Sequence, residues 1–420
     1  VPRARAAFYG DDFTGSVDAL LQFARRGWTG RLFTRLPAQE ALRRAAAEVD
    51  VVGVAGIARS LPTAAMATEL TRMFEAFAAL DPQVVQYKAC STADSSPAVG
   101  SLGRVVELGR AIVADRPVPM LFAQPDFGRY TIFGHHFAAE DGVVYRLDRQ
   151  PTMSAHPSTP MTESDLALHV GRQTELPVGS LPFTAYDEQL AERIGTSDAA
   201  ALVLDAVDDE HLVAVGRAVL RIPPPVFAIG SGGLSHAIAA ADPMGSPRPP
   251  ASAPAEGPVL VVSGSLSPRT RRQADAAAAE GWLVRPLPIA PAGPDQVLEQ
   301  TVHALRGGRS VALTSDDADA SAAAGRPVLD LIAQAAATVV DTAVRAGLTR
   351  RVIVCGGDTS GRVTRLLGVE SLSIAANPWH NVVLLRAHAA EPAIDGLELL
   401  LKGGQVGGDR LFQEVLALGG

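Results

Sequence analysis

Short, wholly apolar runs alternate along this chain with stretches in which apolar residues recur every three or four positions. Ala6–Tyr9, Leu32–Thr34, VDVVGVAG (49–56), the start of VVQYKACSTADSS (84–96), AALVLDAVDD (200–209), PPVFAIG (224–230), VLVV (259–262), SVALTS (310–315), VIVC (352–355) and NVVLLRA (381–387) read as strands. Most lack the polar alternation of a half-solvated sheet, which marks strands buried on both faces. Between them, Val17, Leu20, Leu21 and Ala24 predict a helix starting near Val17 and stopped by Gly27. Ala41–Val49, Thr63–Leu80 after Pro62, a segment near Arg269, and Pro327–Ala346 are further helices, and Asp409–Leu418 a short last one. Strand–helix alternation of this kind predicts parallel βαβ units, whose ligands bind off the carboxyl ends of the strands.

The alternation fails twice. Residues 118–160 carry Gln124, Asp126, Arg129, Tyr130, His135, His136, Arg146, Asp148, Arg149 and His156 among prolines, and read as a long polar loop. DPMGSPRPPASAPAEGP (242–258) is an exposed linker by composition. The expected fold is therefore α/β, with two domains at residues 1–241 and 258–420, each a mostly parallel sheet flanked by helices, joined by a Pro/Ser/Ala-rich linker at 242–257.

Bulk properties narrow the class. A chain of 420 residues exceeds one ordinary core. Its net charge of −8 argues against a nucleic-acid partner. Two cysteines make no disulfide framework, no apolar run reaches membrane-spanning length, and no signal-peptide pattern opens the chain, so a cytoplasmic location is expected. A homodimer stays open.

The chemistry collects at strand ends. RVIVCGGDTSG (351–361) is a strand, a glycine turn and a helix start, a geometry that presents backbone N–H groups to phosphate. Asp358, Thr359 and Ser360 offer helix N-caps there. SGS (263–265) and KGGQVGG (402–408) are further glycine turns, with Lys402 available to neutralise phosphate. AAFYGDDFTGS (6–16) repeats the grammar. Asp11 and Asp12 serve there as hydrogen-bonding groups, general base or magnesium ligands, or else cap the helix. Arg59 sits at the end of its strand, and Lys88, Ser91, Thr92 and Asp94 suit a small polyol acid, with Lys88 pairing its carboxylate. Arg129 and Arg149 are either a clamp for carboxylate or phosphate, or surface ion pairs. Cys90 reads as structural, and the histidines lack metal-ligand spacing. No GxGxxG follows the first strand, which counts against a dehydrogenase.

Taken together, YGDDFTGSVDAL, YKACSTADSSPAVGSLG, FGRYTIFGHHFA, RLDRQPTMSAHPSTPMTESDL, VVSGSLSPRTRRQ, VCGGDTSG and LKGGQVGGDRLF, in this order, resemble the four-carbon acid sugar kinase family over nearly the whole chain. The resemblance implies an ATP-dependent kinase using Mg2+, with a sugar-acid-binding amino-terminal domain and a nucleotide-binding carboxy-terminal one. It assigns the nucleotide to Ser263, Gly264, Ser265, Gly356, Gly357, Asp358, Thr359, Gly403, Gly404 and Gly407. It assigns the acid to Asp11, Asp12, Lys88, Ser91, Asp94 and Arg149, and the strand-end position of Arg59 adds that residue to the expected acid site. Asp12 is then the expected catalytic base, with Asp358 as rival or magnesium organiser. Ala93, Gln150, Ala155 and Asn377-Pro378-Trp379-His380 depart from the family pattern. The HPSTPM loop is closer to members acting on 3-oxo acids, 3-oxo-isoapionate among them. The other readings are a non-catalytic sensor of a sugar acid or nucleotide, which intact Asp12, Lys88 and Asp358 speak against, and a dehydrogenase or aldolase-type enzyme acting on the same acids.

Overall fold

The computed structural model describes residues 4–244, 257–289, 294–315, 327–379 and 382–418. The chain divides into two compact units, Val1–Pro247 and Arg248–Gly420. The expected linker lies mostly outside the described residues.

The strands of the first unit are β1 (Ala6–Gly10), β2 (Gly30–Phe33), β3 (Val51–Ala55), β4 (Val84–Lys88), β5 (Val118–Leu121), β6 (Arg129–Ile132), β7 (His135–Glu140), β8 (Val143–Arg146), β9 (Val178–Leu181), β10 (Ala201–Leu204) and β11 (Val226–Gly230). Its helices include α1 (Phe13–Ala24), α2 (Gln39–Glu48), α3 (Thr63–Ala78), α4 (Leu102–Ile112), α5 (Pro151–Ser154), α6 (Leu166–Gly171), α7 (Leu190–Gly195), α8 (Asp209–Arg221) and α9 (Gly232–Ala241). Eight strands form a wholly parallel array in the order β2-β3-β1-β4-β11-β5-β10-β9. Helices cover both of its faces, which is why the strands read as unbroken apolar runs. Along β1 the pleat sends Phe8 to one side, stacked on Phe23 of α1 at 6.2 Å, and Tyr9 to the other, stacked on Tyr87 of β4 at 5.7 Å. Met66, Leu70, Phe74 and Phe77 of α3 are buried in the core on the Tyr9 side.

Residues 118–160 are not a loop. β6, β7 and β8 form an antiparallel sheet of their own. Phe133 and Gly134 (φ 49° and 79°), then Asp141 and Gly142 (φ 49° and 81°), make two-residue hairpin turns whose left-handed pairs match strand twist. The prolines fall outside these strands.

The second unit carries β12 (Val259–Ser263), β13 (Leu283–Pro286), β14 (Val311–Thr314), β15 (Arg351–Cys355), β16 (Ser371–Ala376), β17 (Leu384–His388) and β18 (Glu398–Lys402). Its helices include α10 (Pro268–Ala279), α11 (Pro294–Arg306), α12 (Val328–Arg345), α13 (Gly357–Leu366) and α14 (Leu411–Ala417). The order β13-β14-β12-β15-β18 is parallel, and β17 and β16 extend it antiparallel. Among the described residues no helix is long and apolar enough to cross a membrane.

Candidate functional site

In the first unit, β1 runs between β3 and β4 with Gly10 opposite Ala55 and Lys88, so all three strands end at one level. The residues that follow meet there. The Arg59 fork grips buried Asp11, with Nε donating to Oδ2 at 3.2 Å and Nη2 to Oδ1 at 2.8 Å. Its Nη1 lies 3.1 Å from Asp12 Oδ2. Asp12 Oδ1 accepts the Gly15 N–H at 2.8 Å and caps α1, which therefore starts at Phe13, not near Val17. Capping and ion pairing fall on the same carboxylate. Burial pushes the Asp11 carboxyl above its ordinary range, with Arg59 pulling against it. Burial also opposes the Arg59 charge, but Asp11 and Asp12 outweigh it and hold the guanidinium cationic.

Lys88 is 3% exposed, and its Nζ donates to the Ala89 carbonyl at 2.8 Å. A Cβ on Gly15 would fall 2.4 Å from Asp12 Oδ1 and 2.8 Å from Lys88 Nζ. The ammonium and the carboxylate thus converge on the bare face of that glycine. In the following loop the Thr92 hydroxyl donates to Asp94 Oδ1 at 2.6 Å, and Cys90 Sγ lies 3.0 Å from Thr92 Oγ1. Burial and Asp94 push the Cys90 thiol up, away from a nucleophilic thiolate. Ala93, buried at φ 52°, makes the sharp left-handed turn between Thr92 and Asp94. Ser91 offers its backbone carbonyl to His136 Nε2 at 2.8 Å. Burial lowers His136 to about 4 and His169, 2.9 Å from Ser95 Oγ, also to about 4, so both are neutral at pH 7. Arg149 is not brought to this cluster: its side chain is 75% exposed and pairs with Asp148 at 3.5 Å.

In the second unit the three glycine turns meet. The Gly264 N–H donates to the Cys355 carbonyl, and the Gly356 N–H to that of Lys402, both at 2.9 Å. A Cβ on Gly264 would fall 2.3 Å from Thr359 Oγ1, and one on Gly404 2.3 Å from Ser265 Oγ. Only glycine permits these approaches. Ser263 Oγ accepts the Ser265 N–H at 3.2 Å. Gly407 adopts φ 87°, and its carbonyl accepts from Arg269 Nη1 at 3.2 Å. A Cβ on Gly403 would meet Val406 Cγ2 at 3.5 Å, an ordinary contact.

The α13 cap differs from the sequence expectation. Neither Asp358, Thr359 nor Ser360 caps it. Gly356, at φ 112°, is the cap residue, and no side chain bonds the first turn. The helix already runs through Gly357 and Asp358, leaving Asp358 exposed. Lys402 is 2% exposed and donates to Thr270 Oγ1 at 3.0 Å. Thr270 in turn donates to the Gly404 carbonyl at 2.9 Å. Burial lowers the Lys402 pKa, with Cys355 opposing. Sequence reasoning passed over Thr270 and Gly15. The strand–turn–helix in VVSGSLSPRT flagged the first, because a hydroxyl in the opening turn of α10 points back at the glycine turn. Among the described residues no three His, Cys, Asp or Glu side chains are grouped to hold a metal ion.

Residues 6–238 match the family described as "Sugar-binding N-terminal domain", and residues 260–412 that described as "Nucleotide-binding C-terminal domain". The chain is 39% identical to a 3-oxo-isoapionate kinase of Paraburkholderia graminis, covering 97% of this chain and 93% of that protein. It is 32% identical to a 3-oxo-tetronate kinase of Cupriavidus necator, covering 98% and 96%. A crystal structure from Salmonella typhimurium LT2, described as a putative tRNA synthase, superposes with a TM-score of 0.79 at 23% identity over 97% of both chains, a likeness of fold alone.

Proposed function

Because the chain belongs to the four-carbon acid sugar kinase family, we propose that it transfers the γ-phosphoryl group of ATP to a hydroxyl of a small 3-oxo sugar acid, of the tetronate or branched isoapionate kind. The observation that carries the reading is near-full-length identity of 39% to a 3-oxo-isoapionate kinase. The geometry supports it in both units. Uncapped N–H groups at the start of α13, the Gly264 and Gly404 cradles and buried Lys402 suit a polyphosphate. Clustered Asp11, Asp12, Arg59 and Lys88 suit a hydroxylated acid.

In this reading Arg59, fixed by Asp11, holds Asp12 in place. The Asp12 carboxylate takes the proton of the attacking hydroxyl, whose oxygen bonds to the γ-phosphorus as the bond to ADP breaks. Lys402 and the turn amides face the phosphate charge. Magnesium, when bound, neutralises the phosphates. Exposed Asp358, in the first turn of α13, is the residue that would hold the ion beside the phosphates.

The test is ADP release with ATP and Mg2+ across threonate, erythronate, 3-oxo-tetronate and 3-oxo-isoapionate. Turnover on a 3-oxo acid is expected. Silence across the panel together with no calorimetric ATP binding overturns the kinase.

A further inference from the structure

The cations at the ends of β1, β3 and β4 are already engaged. All three Arg59 nitrogens face Asp11 or Asp12. Lys88 is tied to the Ala89 carbonyl beside Asp12, and Arg149 sits exposed with Asp148. Arg129 is different. Its Nη1 donates to the carbonyls of Phe127 at 2.8 Å and Ala139 at 3.1 Å, with that of Gly128 at 3.5 Å. Its Nε is buried with no hydrogen-bond partner, and no carboxylate of the described residues forms an ion pair with it. Burial accordingly lowers its pKa, against the pull of Asp94 and Glu140.

Register gives its direction. Arg129 pairs with Ala138, and Thr131 with His136, across β6 and β7. Residues two apart on a strand share a face with their cross-strand partners, so Arg129 and His136 lie on the same face of the hairpin. His136 on that face reaches the Ser91 carbonyl at 2.8 Å. Arg129 therefore lies on the hairpin face that His136 turns toward the Cys90–Asp94 loop, and Asp94 is among its electrostatic neighbours. The nearby acids are otherwise occupied: Asp94 accepts from Thr92, and Glu140 from Gln150 and Thr152. A partly buried guanidinium that forms no ion pair and whose Nε has no hydrogen-bond partner is stabilised by an anionic ligand.

We propose that Arg129 receives the carboxylate of the sugar acid and sets the preference for acids over neutral sugars, an inference that rests on the acid site proposed above. Lys88 then faces the reacting hydroxyl and not the carboxylate. Arg129 is a binding residue and takes no part in proton transfer.

The experiment is calorimetric titration, without ATP, of wild type, Arg129→Met and Arg129→Lys with 3-oxo-tetronate and with erythrulose, its uncharged counterpart. Arg129→Met is expected to weaken the acid at least 30-fold and erythrulose less than threefold. Arg129→Lys, which keeps the charge but loses the fork, should fall between. The ligand-free melting temperature of both variants reports folding. Three results overturn the proposal: acid binding by Arg129→Met within threefold of wild type, equal loss of both ligands in both variants, or no acid binding by wild type. Acid binding that depends on Arg129, with neither ADP release across the panel nor ATP binding, sustains this inference and overturns the kinase reading alone.

Discussion

The turns GDDFTGS and GGDTSG look alike in sequence, yet one fills its own helix end and the other leaves it open. Before α1 the cap position holds Asp12, whose carboxylate takes the Gly15 N–H and covers the positive end of the helix. Before α13 the cap position holds Gly356, and the aspartate falls two places later, inside the first turn. The N–H groups of α13 remain available to an external anion. Moving one carboxylate along the same strand–turn–helix unit separates a helix end that carries its own negative charge from one whose N–H groups are left without a side-chain cap.

The strongest way to break this contrast is Asp12→Asn. Asparagine caps a helix as well as aspartate does, so α1 should persist, while loss of the proton acceptor should cut kcat by about 10² to 10⁴-fold. ATP affinity by calorimetry should not change. Near wild-type turnover would remove Asp12 as base.

Acid distinguishes the units next. His136 and His169, buried and neutral in the first unit, titrate near 4 when folded and near 6.5 when unfolded. Between those values the unfolded chain binds more protons, so stability is complete above pH 6.5 and falls as pH drops toward 4, by roughly 3 kcal/mol for each histidine. Urea midpoints at pH 7 and pH 4.5 measure the loss, and His136→Gln should flatten part of it.

Lys402→Met should weaken ATP by about 10 to 100-fold, the 1.5–3 kcal/mol typical of a hydrogen bond to a charged group. Acid affinity should hold. Gly264→Ala is the mildest change. Its methyl would meet Thr359 Oγ1 at 2.3 Å, and a shift of the α13 start should cost about 1–3 kcal/mol of stability or nucleotide affinity, read as a shared fall in thermal midpoint and ATP binding.

Much of this was legible in the chain. Parallel strands buried on both faces announce themselves as apolar runs, and the polar residues after β1, β3 and β4 had to share an edge once those strands were adjacent. What was missed depended on contacts distant in sequence. Asp-Gly at 141–142 was a readable hairpin signal, masked by prolines and polar residues that suggested a loop. Arg149 and Arg129 look equivalent in sequence. The fold separates them: Arg149 follows the hairpin, exposed and paired with Asp148, while Arg129 lies within it on the face it shares with His136. The α13 cap was misread because Asp, Thr and Ser all favour caps. Gly356 takes that place instead, through its N–H bond to the Lys402 carbonyl on a neighbouring strand.

The division of chemistry between the two units is tested most directly by crossed titration of Asp12→Asn and Lys402→Met with ATP and with 3-oxo-tetronate. Asp12→Asn is expected to bind ATP within twofold of wild type and Lys402→Met to bind the acid within twofold, although both lose turnover. A Lys402→Met protein that loses the acid, or an Asp12→Asn protein that loses ATP, while each remains folded by its melting temperature, would contradict it.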